Sequence, residues 1–234
     1  MELVIVARSS IEEQILDLRK ELHDLLEFPI EKLCEIIKEV GFECDMCSKC
    51  CTSDFNDHIF ILDQEVSCIR NLPSDALEPA PYFEFCDNTG TFYVSGYALR
   101  TKEDGSCIFL EGGRCNIYEH RPLICKLYPY MLHREADHCG KMDWRQISGL
   151  NEHGVYHSEI TDEECIRIAN LTIDYETAYL EHQICFLEKV NEHFKKQNLK
   201  HIQSIYDRMM RKLSKGEKVR VMVYCNGRFE KHYL

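Results

Sequence analysis

The sequence predicts an α+β fold, mainly helical, in which a loop-rich cysteine-cluster domain with small β-hairpins is flanked by N- and C-terminal helices. Three observations lead there. Apolar residues recur at spacings of three and four before residue 41 and again beyond residue 160, which is the period of a half-buried helix. Residues 83–118 alternate instead and are broken by Asp104-Gly105 and Gly112-Gly113, the chemistry of tight turns. Between the two patterns, residues 44–51 read C-x2-C-x2-C-C and place four thiols within eight positions. The boundaries that follow are residues 1–41 for an N-terminal strand and helices packing on the core, 42–140 for the cysteine-cluster domain, and 141–234 for a C-terminal helical region ending in a β-hairpin.

Taken in order, residues 3–6 form a short apolar run with strand character. Ser10 with Glu13 is a capping box, and Ile11, Ile15, Leu18, Leu22 and Leu25 then give an amphipathic helix, suited to its own core or to a partner helix. Pro29 starts a second helix with Leu33, Ile36, Ile37 and Val40 on one face, and Gly41 stops it at the entry to the cysteine loop. Residues 52–57 are polar and turn-like, 58–62 apolar, and 63–71 helical with Pro73 as terminator. Residues 91–99 read as one strand, and Cys107 and Cys115 flank a small ribbon. Arg121-Pro122 opens a short segment carrying Cys125, which Pro129 closes. A loop-rich region with His133, His138, His153, His157, Glu135, Asp137 and Glu152 follows, with no motif spacing. Thr161 with Glu164 is a second capping box, opening a long helix to about residue 197 in which Cys165, Ile168, Ala169, Ile173, Ile184, Leu187 and Val190 are apolar, while Tyr175, Tyr179 and His182 fall on a more polar register. A helix over 200–214 and a hairpin turning on Asn226-Gly227 complete the chain.

Four clustered thiols between helices are hard to explain as packing, because structural cysteines occur singly and scattered, so the stretch reads as a metal site. Cys44, Cys47 and Cys50 have the spacing that wraps one corner of an iron–sulfur cluster in bacterial ferredoxins. Adjacent residues point apart, so Cys50 and Cys51 suit two metals, or two sides of one polynuclear centre, and distant partners are needed. Cys107, Cys115, Cys125 and Cys139 supply them. The candidate metal ligands are therefore Cys44, Cys47, Cys50, Cys51, Cys107, Cys115, Cys125 and Cys139, with His58 nearby as a further donor or a plain surface histidine. Arg121 and Lys126 lie close enough to neutralise a thiolate site, or to pair with Glu119. Cys34, Cys68, Cys86, Cys165, Cys185 and Cys225 read as buried apolar residues.

Around these cysteines the sequence resembles the YkgJ-type cysteine-cluster proteins described as zinc- or iron-chelating domains, whose pattern is F-x-C-x2-C-x2-C-C, then C-x-F-L, C-x-I-Y-E-x-R-P-x2-C and a closing Y-P-F. The match runs from Phe42 to about Gly140, with Lys49 in place of Gly, Lys126 in place of Arg, Tyr130 in place of Phe, and Cys139-Gly140 in place of C-x-G. It implies a metal-binding protein with an iron–sulfur cluster, of the 4Fe-4S type, or Zn2+. A similar cluster occurs in flagellin lysine N-methylases, so the resemblance also permits a metal-dependent protein-modifying enzyme, although no Gly-rich strand-turn-helix site for a methyl donor is legible. Four thiolates suit zinc and iron–sulfur centres alike, so the metal stays open.

Composition narrows the setting. The 234 residues are 44% hydrophobic with six prolines, enough for a core and unlike a disordered chain. The net charge of -12 opposes nucleic-acid binding, which depends on clustered cations. Fourteen cysteines with no export signal point to the reducing cytoplasm, and no apolar run is long enough for a membrane span. A protein partner, its identity and the oligomeric state are not specified by the sequence.

Overall fold

The computed structural model describes residues 10–72, 75–130 and 153–234, together with the backbone of 132–136 and 142–146. The strand expected at 3–6 lies outside the described residues, as do Pro73, Asp137, His138, Cys139 and Glu152.

The architecture is α+β and mainly helical. Helix α1 (Ile11–Leu26) starts on the expected capping box: Ser10 Oγ accepts the Glu13 N–H at 3.1 Å, and the Glu13 carboxylate accepts the Ser10 N–H at 2.7 Å. Helix α2 (Ile30–Val40) follows Pro29 and ends on Gly41 in the left-handed conformation. Both pack on the long helix introduced by Thr161, α5 (Asp162–Gln197), which at 1.5 Å per residue is about 54 Å long. Ile15 of α1 joins Ile184, Leu187 and Val190 of that helix, while Leu33 and Ile37 of α2 join Cys165 and Ala169. Between them lie α3 (Asp63–Arg70) and the short α4 (Leu123–Leu127), and α6 (Gln203–Leu213) comes later.

The strands are short. β1 (Phe60–Ile61), β5 (Tyr97–Leu99) and β2 (Leu77–Pro79) form an antiparallel sheet in the order β1-β5-β2. A second sheet, β11-β10-β4-β3, combines β3 (Phe85–Cys86) and β4 (Thr91–Val94) with the terminal hairpin of β10 (Arg220–Cys225) and β11 (Arg228–Tyr233). The hairpin turns on Asn226-Gly227 as expected, and β10 runs parallel to β4, with Thr91 opposite Arg220 and Val94 opposite Val223. Phe92, Val94, Tyr97, Val221 and Val223 interlock between the two sheets, closed by Tyr206 and Met209 of α6. Two further hairpins are β6 (Leu110–Glu111) with β7 (Arg114–Cys115), and β8 (Leu132–Ala136) with β9 (Met142–Gln146). The second of these falls where the sequence suggests only loop.

Four further expectations need correction. Residues 91–99 are not one strand: the chain breaks at Ser95-Gly96 and passes from one sheet to the other. A Cβ on Gly96 would lie 2.8 Å from the Phe60 ring, so this crossing needs glycine. Tyr175 and His182 are buried rather than polar-facing, because α5 is covered on several sides; the His182 ring lodges between Ser95, whose carbonyl receives its Nε2, and Asp63, 3.6 Å from its Nδ1. Of the scattered cysteines, Cys86, Cys165 and Cys225 are buried, Cys34 is half-buried, and Cys68 and Cys185 are exposed on outer helix faces. The second capping box forms by half: Thr161 Oγ1 accepts the Glu164 N–H, but the Glu164 carboxylate is taken by Arg167 at 2.7 and 2.8 Å.

A half-buried polar junction ties β11 to the other sheet. The Tyr97 hydroxyl lies 2.6 Å from Glu230 Oε2 and 2.7 Å from His232 Nε2, and Arg70 donates to the same carboxylate oxygen at 2.6 Å. Burial pushes the Glu230 pKa up, but hydrogen bonds from Arg70 and Tyr97 outweigh it and hold the carboxyl at about 2. A depressed folded-state pKa contributes stability above the unfolded value near 4.3, lost as pH falls towards about 2. Glu230→Gln is therefore expected to lower stability by roughly 2 kcal/mol at pH 7 and to flatten the acid limb of the stability curve between about pH 4.5 and 2, measured by urea denaturation. In the same assay Gly41→Ala is expected to cost more than Gly112→Ala. Both glycines have positive φ, a penalty of about 1–2 kcal/mol for any L side chain, but only at Gly41 would the new Cβ meet backbone, 2.3 Å from the Ser158 oxygen.

Candidate metal centre

The cysteine loop is shaped by its own short-range bonds. Asp45 Oδ1 accepts the Cys47 N–H at 3.0 Å, and the Met46 N–H donates to Cys44 Sγ at 3.4 Å. Met46 and Ser48 adopt positive φ, 57° and 66°, which non-glycine residues rarely do and which often marks a functional loop. After Ser48 the chain makes one turn of 3-10 helix, Lys49–Cys51. The loop is fastened from both ends. Behind it, Glu43 and Val155 exchange backbone bonds of 2.8 and 2.9 Å, and His157 and Ser158 donate to Val40 and Gly41. A Cβ on Gly154 would sit 2.3 Å from the Phe42 ring. This strap at 153–158 has no motif spacing, so sequence reasoning missed it; Gly154, one residue after His153 and two before Tyr156, was its one signal.

Ahead of the loop, a small ladder joins it to the ribbon. The Cys107 N–H donates to the Cys51 carbonyl at 2.8 Å, Thr52 bridges Ser106, and the Ser53 N–H donates to Gly105 O at 2.9 Å. Gly105 has φ +77°, and a Cβ there would meet Ser53 Oγ at 2.4 Å, so the expected Asp104-Gly105 turn also permits this close approach. Ser48 Oγ donates to Gly113 O at 2.6 Å, linking the loop to the second glycine turn. Cys115 pairs with Leu110 in the β6-β7 hairpin, and α4, whose first N–H is received by Glu65 Oε1 at 2.8 Å, carries Cys125.

The result is two adjoining cavities. The larger, about 290 Å³, is faced by Cys51, Cys107 and Cys115, with His58 and an apolar wall of Ile59, Leu99, Phe109 and Ile117. The smaller, about 160 Å³, is faced by Cys47, with Asp45 and His153. Cys44, Cys50 and Cys125 face both. The fold thus brings together seven of the eight expected ligand cysteines; Cys139 lies outside the described residues. All thirteen described cysteines are free thiols. Among the described residues, no three Cys, His, Asp or Glu side chains converge on one point closely enough to hold a single ion.

The thiols feel one another. A hydrogen bond with Cys50 and then burial push Cys51 well up. Burial raises Cys107 and Cys115, with Cys51 adding repulsion in each case, and it raises Cys125, where Cys107, Cys51 and Cys115 all contribute. Arg121 opposes these shifts at Cys51, Cys115 and Cys125, and its guanidinium stacks on the Tyr118 ring at 4.0 Å. That places it as a counter-charge to the thiol cluster. His153 is buried, 2.6 Å from the Tyr128 hydroxyl and stacked on that ring, while His157 Nδ1 lies 3.0 Å from the Glu39 carbonyl.

This donor chemistry suits a soft or borderline metal, and the comparison with known proteins agrees. Residues 43–146 match the family CxxCxxCC, described as "Putative zinc- or iron-chelating domain". This segment belongs to that family. The cysteine-cluster segment includes the loop, the ribbon, α4 and the β8-β9 hairpin, and stops short of the strap at 153–158. No curated protein and no solved structure matches the chain.

Thiol reactivity should follow the electrostatics. With metal stripped and thiols reduced at pH 7.5, Cys125 is expected to alkylate on the order of tenfold or more slowly than exposed Cys68, since each unit of raised pKa removes tenfold of the reactive thiolate. Peptide mapping of iodoacetamide labelling against time checks the order.

Proposed function

We propose that this chain is a metal-binding protein of the reducing cytoplasm whose cysteine thiolates hold an iron–sulfur centre, with zinc as the other metal the same donors accept. The observation that carries the proposal is the convergence of seven cysteines, from the loop, the ribbon and α4, on two adjoining cavities that share Cys44, Cys50 and Cys125. Thiolate sulfur selects zinc and iron–sulfur centres over hard cations. The C-x2-C-x2-C spacing, the N–H donated to Cys44 sulfur and a cavity of about 290 Å³ support a polynuclear centre. One water takes roughly 30 Å³, so the space exceeds what a single ion requires.

The chain's own contribution is arrangement and charge. The Cys51–Cys107 ladder sets loop thiols against ribbon thiols, α4 brings Cys125 between the cavities, and Arg121 offsets the negative charge of the deprotonated set. An iron–sulfur centre there would supply one-electron chemistry, and zinc a structural clamp.

Elemental analysis and an absorption spectrum of protein purified without oxygen test the reading: iron with inorganic sulfide is the expected result, zinc alone assigns the site to zinc, and protein that neither carries nor takes up either metal overturns it. Cys47→Ser is expected to lose at least about half the bound metal and to lower the urea midpoint, because metal-binding energy at such a site is also folding energy. Cys185→Ser, on an exposed face of α5, is expected to change neither.

A further inference from the structure

Two cysteines that are scattered in the sequence meet in space. Cys34 stands on α2 and Cys165 near the start of α5, 131 positions apart, and the Cys165 thiol donates to the Cys34 carbonyl at 3.1 Å. The two thiols are also hydrogen-bonded to each other. Both belong to the apolar cluster that Leu33, Ile37 and Ala169 build between the helices, where Cys165 is fully buried and Cys34 half-buried. Neither faces the cavities of the metal centre.

An ion pair one turn away keeps the two helices in register. Lys38 lies four residues after Cys34 and Asp162 three before Cys165, the spacings that share a helix face, and the Lys38 ammonium bonds to the Asp162 carboxylate. The same ammonium is near enough to feel both sulfurs. Burial, and then the hydrogen bond with Cys34, push the Cys165 thiol up to about 11, and Lys38 opposes the rise. Cys165 therefore keeps its proton at neutral pH. Cys34 is the sulfur that a small oxidant can reach, and it lies beside a cation. Partly exposed, electropositive surroundings are those in which cysteines react, and a second thiol in contact carries the first oxidation product on to a disulfide.

We propose that Cys34 and Cys165 are a redox-active thiol pair, assisted by Lys38, which a peroxide oxidises to a disulfide that staples α2 to α5. Cys34 sulfur attacks one oxygen of hydrogen peroxide, the O–O bond breaks, and the other oxygen leaves as water with the thiol proton, giving a sulfenic acid. Cys165 sulfur then attacks Cys34 sulfur, the S–O bond breaks, and a second water leaves with the Cys165 proton. The two thiols give up two electrons and two protons, and one peroxide becomes two waters. The position gives the bond its effect: α2 runs through Gly41 into the cysteine loop, and the strap before α5 donates to Val40 and Gly41. The staple closes the frame behind the loop and uses none of the loop's own thiols.

The test exposes the reduced full-length chain to hydrogen peroxide, quenches it at intervals by alkylation, and maps each cysteine by peptide mass. The expected product is the Cys34 peptide linked to the Cys165 peptide with loss of two hydrogens, reversed by dithiothreitol and formed on the order of tenfold faster than exposed Cys68 oxidises, because the pair is pre-oriented and lies beside a cation. Cys165→Ser, whose hydroxyl can still donate to the Cys34 carbonyl, is expected to stop at a Cys34 sulfenic acid that a cyclic 1,3-diketone traps. In Cys34→Ser, buried Cys165 is expected to stay reduced. Lys38→Gln is expected to slow the linkage several-fold with little change in the urea midpoint, since an exposed ion pair contributes little to stability. Cys34 and Cys165 that remain free, that oxidise no faster than Cys68, or that link to other cysteines overturn the proposal, and an unchanged rate in Lys38→Gln overturns the part given to the ammonium.

Discussion

The hydrogen bond from the Cys107 N–H to the Cys51 carbonyl joins two parts of the chain that local sequence would leave separate. With the Thr52–Ser106 bridge and the Ser53–Gly105 bond, it sets the thiol-rich loop against the ribbon and fixes which sulfurs share a cavity. The order of this junction depends on satisfied backbone groups and on Gly105, whose φ of +77° favours glycine. The strap at 153–158 does the same for the other end of the loop. A cavity wall held this way needs a rigid frame, which α5 and the two sheets provide.

Much of this was legible in the residues. The capping box at Ser10, the stop at Gly41, the Asn226-Gly227 turn and the two glycine turns of the ribbon are local devices with local causes, and each stands where the sequence places it. The cysteines could be grouped because a thiol every three residues has few explanations besides a metal. What escaped was set by tertiary contact. The break at Ser95-Gly96 answers to the Phe60 ring, 35 positions away in the chain, and burial of Tyr175 and His182 follows from packing on several faces of α5 that no single helical period reveals. Exposed Cys68 and Cys185 show the converse: a small apolar residue on a helix carries no mark of which face it occupies.

Charge is the other constraint on the site. Buried thiols repel one another once deprotonated, so a cluster of them is stable only if protonated or balanced by cations. The chain as a whole carries a formal charge of -12, yet Arg121 is held on Tyr118 where it faces three of the raised thiols. Placing one fixed guanidinium inside an acidic protein makes the thiol cavity locally different from its surroundings, which is the electrostatic counterpart of the ladder that shapes it.

The parallel pairing of β10 with β4 has a consequence for how the molecule comes into being. Arg220 lies beside Thr91, 129 positions later in the chain, and β4 is buried on both faces once β10 is in place. At 5–20 residues per second, a ribosome makes those intervening residues in roughly 6 to 26 s. The cysteine loop exists from the start of that interval and the ribbon from residue 115 onward, beside a strand whose second partner has not been synthesised, so that an open backbone edge and reactive sulfur are exposed together. The nascent chain therefore passes through a window in which sulfur capture by metal and completion of the sheet are separate events, and the order in which they occur is written into the topology.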